Sequence, residues 1–111
     1  MKLTKEMKAY SREWIDNLIH QTDFGTVQPT VPDNWEQGMW FGTREARDLL
    51  DKAETTEEWK LGIMEAISHR KLILMKDVLD DQKVINKAMI MGLKTALGYA
   101  ECIELSGGMN C

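Results

Sequence analysis

Prolines are scarce in this sequence. There are two in 111 residues, Pro29 and Pro32, and they stand close together. Most of the chain is therefore free of the residue that interrupts helices most strongly. Cysteine is as scarce. Cys102 and Cys111 imply no disulfide framework, and Cys102 falls in an apolar helical pattern where a buried structural thiol is expected, which fits a reducing compartment. Histidine is limited to His20 and His69. No apolar run approaches the roughly 18 residues that cross a bilayer. The opening MKLTKEMKAYSREW lacks the apolar stretch of a secretory signal, so a protein made in the cytoplasm is expected. Positive charge is not in excess either: 14 Lys and Arg stand against 18 Asp and Glu, a formal net charge of −4. That argues against dominant binding to a phosphate backbone, which needs a basic face. Lys2, Lys5, Lys8 and Arg12 fall along one helical flank and read as a solvated face.

What is present is the composition of a folded protein, 43% hydrophobic and 29% charged, with eight methionines able to fill irregular contacts. The periodicity is helical and the length suits one domain. Leu3, Met7, Tyr10, Trp14 and Leu18 recur at spacings of three and four and predict a helix over 3–22. Thr43 reads as an N-cap of a short helix over 43–54, with Ala46, Leu49, Leu50 and Ala53 on one side. Thr55 and Glu58 have capping-box spacing and open a helix over about 56–79, with Trp59, Ile63, Ala66, Ile67, Leu74 and Val78 on one stripe. Asp80 and Asp81 suit a short turn that caps a last helix over about 81–105. Ile85, Met89, Gly92, Ala96, Tyr99 and Ile103 mark one face of it, and Ser106-Gly107-Gly108 stops it, leaving a tail over 106–111. The expected fold is all-α: a long antiparallel hairpin (56–79 and 81–105), an N-terminal helix, an extended aromatic arm and a short helix. Gly92, Ala96 and Ala100 are small at i, i+4 and i+8. They permit close helix approach, either inside the hairpin or against another subunit.

The arm is residues 23–42, DFGTVQPTVPDNWEQGMWFG. Pro29 and Pro32 bias their predecessors to extended backbone, and Gly25, Gly38 and Gly42 permit unusual dihedrals. A connection of about 20 residues is long for a compact domain. Phe24, Val27, Val31, Trp35, Met39, Trp40 and Phe41 are too much apolar surface to leave in water, since burying one large side chain is worth roughly 1.5–3 kcal/mol. Two readings follow. The arm is a lid on the protein's own hairpin, or it docks on a neighbouring subunit or partner, where Trp is enriched. The second makes Phe24, Trp35, Met39, Trp40, Phe41, Gly92 and Ala96 the candidate protein interface of a homo-oligomer.

Chemistry finds little support. His20 and His69 each follow a carboxylate by four residues, Asp16 and Glu65, a spacing for ion pairing on one helix face. Metal sites need three or four such ligands. A nucleophilic Cys102 would need an adjacent base. Gly107-Gly108 ends a helix rather than opening one, so no phosphate loop is present. No catalytic residue, cofactor or metal is expected.

The stretch from Trp59 resembles small helical-hairpin proteins of tailed bacteriophages, encoded among head, portal and packaging genes. The residues that carry the resemblance are Trp59 opening the first helix, Arg70-Lys71-Leu72 in its middle, Asp80-Asp81 in the turn, Gly92-Leu93 in the second helix, and Ile103 with Leu105 closing it. The resemblance covers residues 59–105, less than half the chain, and carries no catalytic residues. It implies a non-enzymatic structural or assembly accessory, made in the host bacterial cytoplasm and a candidate virion component, with itself and other phage particle proteins as partners. The alternative is a phage-encoded inhibitor of a host defence or transcription enzyme. The acidic balance suits that role, because acidic surfaces complement nucleic-acid channels.

Overall fold

The computed structural model describes residues 1–21, 34–76 and 78–107. Among these, the secondary structure is helical: α1 (Lys5–Gln21), α2 (Asn34–Lys52), α3 (Thr56–Leu74) and α4 (Asp80–Leu105). A single antiparallel bridge joins Lys2 to Thr55. The expected all-α class is what the chain adopts.

The helices alternate in direction. Arg12 of α1 is ion-paired with Asp51, while Asp16 accepts from Arg47 at 2.8 Å, so α1 runs antiparallel to α2. Lys60 near the start of α3 donates to Glu104 near the end of α4 at 3.0 Å, so those two are antiparallel as well. α3 ends at Leu74, short of the expected 79 and leaving Val78 outside the helix, and α4 begins at Asp80.

The tightest packing is not between α3 and α4 but between α2 and α4, which run in the same direction. A Cβ built on Gly38 would lie 2.3 Å from the Ile85 carbonyl oxygen, and one on Gly42 would lie 2.4 Å from that of Met89. One on Gly92 would meet the Met39 carbonyl oxygen at 2.9 Å and the Thr43 nitrogen at 3.1 Å. Glycine costs about 1 kcal/mol in a helix relative to alanine. Here the missing side chains let two backbones touch, which offsets that cost through contact along both helices.

This corrects the expected arm. Residues 34–42 are helical and continuous with the segment expected as the short helix 43–54. Gly38 and Gly42 do not break the chain; they are its contact points. Thr43 is accordingly not an N-cap. It is buried in mid-helix, and its hydroxyl donates back to the carbonyls of Met39 and Trp40 at 2.9 and 3.0 Å. Phe24, Pro29, Pro32 and the rest of 22–33 lie outside the described residues.

Helix ends follow local chemistry. Thr55 Oγ1 accepts from the Glu58 amide at 3.1 Å, as the capping-box spacing predicts. The returning Glu58 carboxylate takes the Glu54 amide instead, at 3.0 Å. Leu79, not the Asp80-Asp81 pair, caps α4, and it does so without a side-chain bond; Asp80 and Asp81 occupy the first turn, where carboxylates complement the helix dipole. At the other end Gly107 has φ +75°, the left-handed conformation that stops a helix, as the Ser-Gly-Gly run implies.

The core gathers Ile15, Ala46, Leu50, Trp59, Ile63, Leu93, Ala96, Ala100 and Ile103, all at or near full burial. Trp59 is at its centre and donates from Nε1 to the Ala46 carbonyl at 3.0 Å, so its one polar atom is satisfied. The face of α1 differs from the expected one. Leu3, Met7, Ser11 and Ile15 are buried, whereas Tyr10 is exposed and Trp14 is half-buried, stacked on Tyr99 at 4.4 Å. Two N-terminal residues brace the joint between α2 and α3: the Leu3 amide donates to the Glu54 carbonyl and the Thr56 amide to the Met1 carbonyl, both at 2.8 Å.

Candidate interaction surface

The candidate interface residues divide according to where α2 and α4 carry them. Gly92 is buried against α2 of the same chain, and Ala96 is fully buried one turn further on. The missing side chain of Gly92 serves that internal contact. Met39 is half-buried at the same seam, and its carbonyl oxygen lies beside Gly92. Phe24 lies outside the described residues.

The aromatic side chains of the first turns of α2 remain partly in solvent. Trp35 is 42% exposed and Phe41 44%. Trp40 is half-buried, edge-on to Phe41 at 5.2 Å, with the Arg44 guanidinium 4.5 Å from its ring centre. A cation over an aromatic face is worth about 0.5–1 kcal/mol at an exposed site. Phe41 and Arg44 line an open concavity with Glu45, Asp48, Arg70 and Met89, where Arg70 pairs with Glu45 at 3.6 Å. Its charges balance, so it has no preference for an ion of one sign. The backbone of residues 34–42 thus covers α4, while two of its rings stay in contact with water.

A larger apolar surface lies on α3. Trp59, Ile63 and Ile67 face the core. Leu61, Met64, Leu72 and Met75 are 54%, 44%, 59% and 82% exposed. At about 100° per residue they fall on a second stripe, some 150° around the helix from the first. One stripe holds α3 in the fold; the other faces outward. Leu79, in the connection to α4, is exposed as well. This stripe was absent from the sequence-based interface, although Leu61, Met64, Ser68, Leu72 and Met75 have the three-and-four spacing that marks a helix face.

The residues singled out for chemistry lie apart. His69 and Glu65 are both exposed on α3, Asp16 is engaged by Arg47, and the His20 side chain lies outside the described residues. Among the described residues, no three His, Cys, Asp or Glu side chains converge as metal ligands would. Cys102 is half-buried and disulfide-bonded rather than the thiol expected there; Cys111 lies outside the described residues. No described helix is long and apolar enough to cross a membrane.

Two carboxylates beside Thr56 have lowered pKa values. Glu57 is brought to about 2, chiefly by its hydrogen bond with the Met1 ammonium. Glu104 is lowered first by the Thr56 hydroxyl and then by Lys60. Arg12 is raised by its bond to Asp51. Each of these ties joins segments far apart in sequence.

Compared with known proteins, the chain matches no family model, no curated protein and no solved structure.

Proposed function

We propose that this protein is a non-enzymatic structural or assembly accessory that works by protein–protein contact, binding first to itself. The observation that carries the reading is the two-sided α3. A helix with one apolar stripe is finished when that stripe is buried. This one keeps a second stripe exposed, and the rings of Trp35 and Phe41 add to the apolar surface in water. Contiguous apolar surface of this kind on a small soluble protein is typically where another protein sits. The resemblance of residues 59–105 to hairpin proteins of tailed phages supports placing the role in particle assembly.

A second reading, a phage-made inhibitor of a host enzyme, draws on the net charge of −4. It uses the same surfaces for a foreign partner instead of a copy. The two separate in a titration of fluorescently labelled chain with unlabelled chain, followed by anisotropy. The assembly reading predicts a saturable rise in the micromolar range, on the order of −8 kcal/mol of association. A flat response up to the solubility limit would exclude self-association and leave the inhibitor reading.

A further inference from the structure

We infer that the outer stripe of α3 is a two-fold dimer interface, in which α3 packs antiparallel against α3 of a second copy with Ser68 at the axis. The inference rests on the self-association proposed above and names the surface that performs it.

The pattern of the stripe selects this occupant. Leu61 and Met75 stand seven residues either side of Ser68, and Met64 and Leu72 stand four either side. A copy of α3 turned by 180° about an axis through Ser68 brings its Met75 to the level of Leu61 and its Leu72 to the level of Met64. A surface that matches itself in this way suits an isologous contact, in which each residue meets its counterpart by symmetry.

Side-chain size fits as well. Ser68 is exposed and is the smallest residue on the stripe. At the centre of a helix pair a small side chain lets the axes approach, and the Leu and Met side chains on either side then interdigitate. The methionines adapt to whatever gap remains.

Charge also matches. Glu58 lies in the first turn of α3, near Leu61, and Lys76 follows Met75 just past its last turn, both exposed. The two-fold sets Glu58 of each copy near Lys76 of the other. Exposed pairs of this kind add little energy, but they fix direction, because a parallel arrangement would set Glu58 beside Glu58.

The area is adequate. Leu61, Met64, Leu72 and Met75 together leave on the order of 400 Å² of apolar side chain in water, the scale of functional patches on soluble proteins. The aliphatic stems of Lys71 and Lys76 and the side chain of Leu79 carry the contact towards the ~800 Å² per partner of a standard interface.

The test is disulfide trapping, with solution mass measured in parallel. Ser68→Cys places a thiol on the axis, so mild oxidation should convert most of the chain to a covalent dimer, while wild-type protein under the same oxidation controls for Cys102 and Cys111. Leu61→Cys should cross-link poorly alone but well when mixed with Met75→Cys. Leu61→Glu with Leu72→Glu should weaken association by at least about tenfold with unchanged helix content, and with an unchanged unfolding midpoint at concentrations where wild type and variant are both single chains. If the wild type self-associates but Ser68→Cys does not cross-link and the double variant associates normally, the inference fails while the self-associating reading stands. If the wild type is monomeric, both fail. A monomeric wild type with a destabilised double variant would mean that the stripe is covered by another part of the same chain.

Discussion

Gly42 touches Met89 backbone to backbone: a Cβ on the glycine would lie 2.4 Å from the Met89 carbonyl oxygen and 2.9 Å from its Cα. The neighbour is main chain, so no rotamer change can relieve the clash. Gly42→Ala should force α2 away from α4 and destabilise the fold by about 2–3 kcal/mol, despite the better helix propensity of alanine. Gly98 supplies the contrast. It lies in α4 with nothing within 4 Å of its absent Cβ. Gly98→Ala should therefore stabilise by about 0.5–1 kcal/mol. Urea unfolding midpoints of the two variants should move in opposite directions.

Trp59 should be the most sensitive single side chain. It is fully buried and donates to the Ala46 carbonyl. Trp59→Ala should cost about 3–5 kcal/mol, a large part of the stability of a domain this size. Trp59→Phe keeps most of the ring but loses the hydrogen bond, and should cost roughly half as much. Thermal unfolding followed at the helix signal ranks the two; a Trp59→Phe variant as stable as wild type would show that the indole N–H bond contributes nothing.

Glu104 predicts a pH dependence. Its carboxyl is held below the ordinary value of 4.5 by the Thr56 hydroxyl and Lys60. The folded state thus binds the proton less readily than the unfolded chain. The stabilisation is fully present above about 4.5 and is lost as pH falls through the lower folded value. Glu104→Gln should lower the unfolding midpoint at neutral pH, and the difference from wild type should shrink as the medium is acidified below pH 4. A gap independent of pH would mean that the loss is one of packing rather than charge.

The parts of the fold that were legible in the sequence are those governed by local rules. The stripe of Trp59, Ile63 and Ile67, the Thr55 cap and the glycine stop at 107 all depend on neighbours a few residues away, and all are present as read. The beginning of α2 was not legible, because Gly38 and Gly42 carry opposite meanings in isolation and in contact. Alone, they loosen a helix; against Ile85, Ala88 and Met89 they allow one to pack. The i, i+4 spacing of these glycines, matched by Ala88, Gly92 and Ala96 on α4, is the signal that reveals the pairing. The face of α1 was misjudged for a related reason. Tyr10 and Trp14 looked like the core because they continue the three-and-four spacing from Leu3 and Met7, yet Ser11 and Ile15 occupy it because that side meets the rest of the fold. The candidate interface followed the aromatic residues and passed over the outer stripe of α3, whose side chains are aliphatic and whose exposure depends on which side of α3 the other helices take.

The most direct test of a self-associating assembly protein is the mass of the chain in solution, by sedimentation equilibrium across about 1–100 μM. A mass rising to twice that of the chain, and falling back to that of a single chain in Leu61→Glu with Leu72→Glu, is the predicted result. A single-chain mass for the wild type at every concentration would contradict it.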